Sequence, residues 1–310
     1  MWTEAGPLSV CHGARVARLC LRLLGLMLLG LMLLGQTAGC ADAPSNSQPV
    51  APRVTDTAGP ESPPPVSRAR APEPVARVRV AAASDLRFVF DELRAAFQTK
   101  FPQIDVEVAF GSSGSFFAQF TQQAPFDLFL SADLDLPQRL VDRGDTLPDS
   151  QFEYALGSLV LWVGPAAVPP EGVDGLDLLQ APGLGRIAIA NPEHAPYGRA
   201  ALAVLQSLQI DDEVQPRLVL ADNVAQALQF VDSGAAGLGL VSASLANDPR
   251  LKGRGRGIPV PAQLHPPLRQ GGVILRWARD PAAALAFRQF LIGPRGRELL
   301  REHGFQLPEP

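Results

Sequence analysis

Between Val78 and Phe116 the chain makes the same switch from apolar run to helical period twice. The first run, Val78 to Ala83, stops at Ser84 and gives way to a helix with Phe90, Leu93 and Phe97 on one face. The second, Ile104 to Phe110, stops in Gly111-Ser112-Ser113-Gly114-Ser115 and opens a helix through Phe116, Phe117 and Phe120. Phe126 to Ser131 reads as a third strand, followed by a helix with Leu136, Leu140 and Val141 that Gly144 ends. Strand alternating with helix predicts parallel strands with right-handed crossovers, hence a doubly wound α/β sheet.

Leu156 to Val163 is the longest strand signal, ended by Gly164-Pro165, and beyond it the pattern restarts. A helix is expected near Leu176 to Leu179, then a strand over Arg186 to Ala190 leading through Asn191 to Gly198 into a helix with Leu202, Leu205 and Leu208. A strand from Leu218 to Leu220 meets Asn223-Val224 and a helix with Leu228 and Val231, and Gly237 to Val241 is a strand ending at Ser242. Asn247 to Gln270, rich in Gly, Pro, Arg and Lys, reads as a surface connection. After it come a strand, Gly272 to Leu275, and two helices opened by proline, Pro281 to Leu291 and Pro294 to Leu300. If these last elements return to the first lobe, residues 78–156 plus 263–310 form one lobe and 157–262 the other. Two crossovers at a hinge, near Gly157 and near Gln263, then leave a cleft.

Composition fits such a fold and narrows its partners. The 310 residues, 46% hydrophobic, can bury a sizeable core. A net charge of -4 and scattered aromatics argue against nucleic acid. Residues 1–39 read as an export signal, with Arg15, Arg18 and Arg22 before the apolar stretch Leu23 to Leu34. Thr37-Ala38-Gly39-Cys40 is similar to a bacterial lipoprotein processing box, although leucine is usual at the position of Thr37. The similarity implies cleavage before Cys40 and a lipid on its sulfur. All three cysteines, Cys11, Cys20 and Cys40, fall in the first forty residues, so disulfides and thiol chemistry are not expected in the folded part. Residues 40–77, rich in Pro, Ala and Ser, predict a disordered tether that would hold the domain near a membrane in the periplasm or at the cell surface.

The candidate chemistry lies at the strand ends. Each serine corner brings a hydroxyl to a helix start, where backbone N–H groups lack intrahelical partners and the dipole is positive. Two such corners side by side make an anion receptor of neutral donors, although either serine alone is as readily a helix cap. Ala81 to Leu86, Phe110 to Gly114, Ala124 to Asp133, Asn191 to Gly198 and Gly237 to Val241, in this order, resemble the successive motifs of the molybdate-binding solute-binding proteins of ABC transporters. The resemblance runs from Val78 to the C-terminus and implies a two-lobed fold of the periplasmic-binding-protein type II kind.

It implies further that Ser84 and Ser113 hold an oxyanion through their hydroxyls. Tyr197 and Val224 match positions that donate backbone N–H groups. Ser242 falls where many members carry a tyrosine hydroxyl, so that contact is expected to be lost, bridged or replaced. The ligand would be molybdate or tungstate, and the partner an ABC permease. No cofactor and no directly ligated metal are implied, and the protein would act as a monomer. Two rival readings remain: a receptor for another tetrahedral oxyanion such as sulfate or phosphate, and an enzyme reusing the two-lobed scaffold. The first predicts an inward Arg or Lys, with Arg87 and Arg199 as candidates in the first turns of their helices. The second predicts a His or carboxylate beside Ser84 or Ser113, His194 being the nearest candidate. Glu193-His194 alone makes a poor metal site, which needs three or four ligands. Asp127 and Asp133 flank a strand and are expected to cap it or to lock the hinge.

Overall fold

The run that ends at Ser84 is β1 (Ala76–Ala83), in which Val78, Val80, Ala81 and Ala82 are completely shielded from solvent. Such continuous burial is what a central parallel strand demands. The structure is a computed structural model describing residues 76–308, so the export signal, Cys40 and the tether as far as residue 75 lie outside the described residues. Ala76 and Arg77, expected in the tether, already belong to β1 and pair with Ile104 and Asp105.

In chain order β1 is followed by α1 (Val89–Lys100), β2 (Ile104–Gly111), α2 (Ser113–Phe120), β3 (Leu128–Ser131), α3 (Asp135–Asp142) and β4 (Phe152–Gly157). Then come β5 (Leu159–Val163), β6 (Ile187–Ala190), α4 (Pro196–Ser207), α5 (Asp211–Val214), β7 (Leu218–Ala221), α6 (Val224–Asp232), β8 (Leu238–Ser242) and α7 (Ala243–Ala246). The chain ends with β9 (Arg256–Pro259), β10 (Leu268–Ile274), α8 (Pro281–Ile292) and α9 (Pro294–Glu302). The strands form two five-stranded sheets, ordered β2-β1-β3-β10-β4 and β7-β6-β8-β5-β9.

Each sheet has three adjacent parallel strands followed on one side by an antiparallel pairing: β10 runs against β3 and β4, and β5 against β8 and β9. The sheets are therefore mixed, with the doubly wound pattern confined to their parallel halves. The antiparallel strands are the ones that carry the chain between sheets. The strand expected over Leu156 to Val163 is in fact two, parted at Ser158, with β4 in the first sheet and β5 in the second. A largely apolar run reads straight through such a break because one small residue, Ser158, is all that marks it. The return passage runs from β9 to β10, so Asn247 to Gln270 is more than a surface connection. It contains edge strand β9 and the start of β10, and Gln270 has no exposure at all.

Helix α1 packs Phe90, Leu93 and Phe97 inward, and the Phe97 ring meets Phe287 of α8 edge-on at 5.1 Å. Ser84, however, does not start α1: Ser84–Leu86 is a 3-10 turn, and α1 begins at Val89. Arg87 is thus in the joint between them. The helix expected near Leu176 is likewise a 3-10 turn, Gly175–Leu179.

Asp127 does not lock a hinge. Fully buried before β3, it accepts from the Arg79 backbone N–H at 2.7 Å, the Arg79 guanidinium at 3.1 and 3.2 Å, and the Arg279 N–H at 2.8 Å. It fastens β1, β3 and the approach to α8 at the end of the sheet away from the serine corners. Removing one partner of a buried pair leaves the other's charge uncompensated, so Asp127→Ala is expected to cost about 3–5 kcal/mol in urea unfolding. A loss below about 1 kcal/mol would show that water satisfies Arg79 instead.

Candidate functional site

In sheets of this kind the carboxyl ends of the parallel strands are where ligands sit. Here the ends from both sheets meet at one small cavity lined by Ala83, Ser84, Asp85, Gly111, Ser112, Ser113 and Ala132 of the first sheet's chain. Ala195, Pro196, Tyr197, Asn223 and Val224 complete it from the second. The cavity is about 10 Å³, room for one small group and no organic metabolite.

The donors are freed locally. Ser113 Oγ accepts the Ala132 N–H at 3.0 Å and Ser84 Oγ the Ala225 N–H at 3.4 Å, so both hydroxyl protons remain to be given away. Tyr197 and Val224 are the second residue of α4 and the first of α6, positions whose N–H has no intrahelical acceptor. Asn223 caps α6 by accepting from Ala225 and Gln226 at 3.1 Å each, leaving the Val224 N–H unclaimed by the cap. The structure thus brings Ser84, Ser113, Tyr197 and Val224 together. Ser242 is not among the lining residues: fully buried, its oxygen accepts from the Leu245 N–H at 3.4 Å and its own proton goes to the Ser244 oxygen at 3.1 Å. Because β8 runs directly into α7, that hydroxyl is taken up as a cap.

Backbone from the two sheets touches beside the cavity. The His194 carbonyl accepts from the Gly114 N–H at 2.9 Å and from the Ser112 hydroxyl. A Cβ on Gly114 would lie 2.4 Å from that carbonyl oxygen, so only glycine permits the approach. His194 Nε2 pairs with the Asp222 carbonyl at 3.2 Å, and the hydrogen-bond partners of Ser84 and Ser113 are backbone N–H groups. Among the described residues no group of three or more His, Cys, Asp or Glu could hold a metal ion.

Neither candidate arginine lines the cavity. Arg199 forms an ion pair with Asp133 at a neighbouring opening, joining α4 to the loop after β3, while Asp133 also accepts the Asp135 N–H at 2.9 Å. Arg87 lies 5.8 Å above the Phe110 ring centre. The ionisable side chain that does line it is Asp85, whose place beside Ser84 gave no sign of its burial. Its Oδ2 accepts from Gln270 Nε2 at 2.5 Å and from the Tyr197 hydroxyl at 3.0 Å; Oδ1 has no hydrogen-bond partner among the described residues. Burial raises its pKa from 3.8 to about 6, against the opposing effect of the bonds from Gln270 and Tyr197. Burial, and secondarily the Asp85 charge, also pushes the phenols of Tyr197 and Tyr154 well above the ordinary range, so both stay neutral.

The family described as bacterial extracellular solute-binding protein matches residues 78–306. The molybdate-binding protein ModA of Rhodobacter capsulatus is 37% identical over 234 residues, 76% of this chain and 90% of that protein. ModA of Azotobacter vinelandii is 38% identical over 234 residues, 75% of this chain and 90% of that protein. The solved periplasmic molybdate-binding protein of Azotobacter vinelandii superposes with a TM-score of 0.69 at 34% identity, covering 75% of this chain and all of that one.

A carboxyl whose pKa is raised on folding destabilises the fold once it ionises. Asp85 carries no such cost below about pH 4; the cost grows towards about pH 6 and is constant above. Two pKa units correspond to about 3 kcal/mol, so the stability of the wild-type chain relative to Asp85→Asn should fall by about that much between pH 4 and 7. Unfolding curves of both proteins across this range check it, and parallel curves would mean that Asp85 titrates normally.

Proposed function

The chain belongs to the bacterial extracellular solute-binding proteins, and from that premise we propose that it captures molybdate, and tungstate with it, as the periplasmic binding component of an ABC importer. The observation that carries this reading is the convergence of four strand-to-helix corners, two from each sheet, on a cavity whose donors are uncharged. A tetrahedral dianion suits such a site, since each helix start contributes partial positive charge and none requires a counterion. Molybdate and tungstate have longer metal–oxygen bonds than sulfate, so fixed donors can discriminate by size. The likeness to ModA proteins, over most of both chains, supports the choice of ligand. Donors from both sheets favour their closure on the ion, and a permease would recognise the closed form. A lipid on Cys40 would hold the domain at the membrane on its tether.

Asp85 adds a pH dependence. A bound dianion opposes a second negative charge beside it, so binding favours protonated Asp85 and molybdate affinity should fall as pH rises above about 6, by up to about tenfold per unit. In Asp85→Asn this dependence should vanish. One observation favours phosphate as a second reading: the unpartnered Oδ1 of ionised Asp85 could accept the proton of hydrogen phosphate. Calorimetric titration with molybdate, tungstate, sulfate and phosphate at about pH 5.5 and about pH 8 separates the readings, because phosphate binding by that route would strengthen at the higher pH. Response to sulfate or phosphate alone would refute the molybdate assignment. Ser84→Ala and Ser113→Ala should each cost about 1–3 kcal/mol of binding, and unchanged affinity in both would reduce the hydroxyls to structural roles.

A further inference from the structure

We propose that the Tyr197 hydroxyl, the Asp85 carboxyl and the Gln270 amide form a closure latch, which holds the two sheets' chains together around the ligand without touching it. This rests on the reading of the cavity as an anion site closed between those chains. Asp85 follows β1 and Gln270 lies on β10, both of the first sheet, whereas Tyr197 opens α4, which follows β6 of the second. The bond between Gln270 and Asp85 therefore stays within one half. The phenol crosses, donating to Asp85 Oδ2 at 3.0 Å and accepting from Gln270 Nε2 at 3.2 Å.

Three features make the cluster a device for closure rather than core packing. Tyr197 presents two functions at once: its backbone N–H faces the cavity at the start of α4, while its side chain is gripped by the other half, so fixing the ring fixes the donor. Gly157, where the chain leaves the first sheet, supplies the room; a Cβ there would lie 2.3 Å from the phenol oxygen and 2.9 Å from Gln270 Nε2. The latch thus sits against the passage on which any opening must pivot, and a shift of about 1 Å suffices to break a 3.0 Å bond. The surroundings supply no competing charge. Tyr154 of β4 is the other titratable neighbour, Ser244 of α7 donates to the Asp85 carbonyl at 2.9 Å, and the ends of β2 and α6 present Gly111, Asn223 and Val224.

The test uses molybdate and three variants: Tyr197→Phe, Gly157→Ala and the double variant. Loss of a hydrogen bond to the protonated Asp85 carboxyl predicts that each single change speeds molybdate release by about two- to tenfold, with the association rate little altered. In the double variant release should be no faster than in the worse single one, since both changes remove the same bond. The melting temperature of ligand-free Tyr197→Phe should match that of the parent chain, because the bond forms on closure. Unchanged release in Tyr197→Phe, additive effects in the double variant, or an equal loss of stability without ligand would each overturn the latch while leaving molybdate binding intact. Failure of the parent chain to bind molybdate would overturn the anion reading and the latch with it.

Discussion

Backbone N–H groups at the start of a helix have no partner within it, and in this fold that requirement is turned inward. Three such starts, those of α2, α4 and α6, and the 3-10 turn at Ser84 are delivered by strands to one cavity instead of to solvent. Two come from each sheet, so neither sheet satisfies the requirement alone. Even the capping groups respect the arrangement: Asn223 takes the second and third N–H groups of α6 and leaves the first, while Ser112 spends its hydroxyl on the His194 carbonyl across the gap. The chain's double passage between sheets, at Ser158 and again from β9 to β10, follows from having to align the two sets of strand ends. The rest of the architecture, including the Asp127 anchorage at the far end of β1 and β3, keeps those ends rigid.

What the sequence disclosed was local. Val78 to Ala83 and Ile104 to Phe110 announced parallel strands by being largely apolar, broken only by Arg79, Asp105 and Glu107, and the serines, Tyr197 and Val224 stood out because a strand-to-helix corner is written in a few consecutive residues. What it concealed depended on partners far along the chain. Asp85 meets Tyr197 across 112 positions and Gln270 across 185, and no period or composition marks a polar residue that distant neighbours will bury. The break at Ser158 was hidden because the residues on both sides are apolar or small and extended, although in different sheets. Ser242 shows the opposite case: the motif placed it at the end of β8 with its contact in doubt, and the immediate onset of α7 took its hydroxyl for a cap.

Asp85 is the point at which stability and binding pull apart. A carboxyl this deeply buried raises the energy of its own ionised form, and a dianion in the same cavity raises it further. Hydrophobic replacement would relieve both effects, but it would leave the Tyr197 phenol without an acceptor in a site closed to water. Retaining the acid while surrounding it with neutral donors resolves the conflict: the proton that the anion demands can sit on the unpartnered Oδ1 and leave Oδ2 free to accept from Tyr197. The group least expected in an anion receptor is therefore compatible with it, provided that closing the site and protonating Asp85 occur together. That coupling links the hinge-side cluster to the ligand through one residue beside Ser84, with no charged donor reaching into the cavity at all.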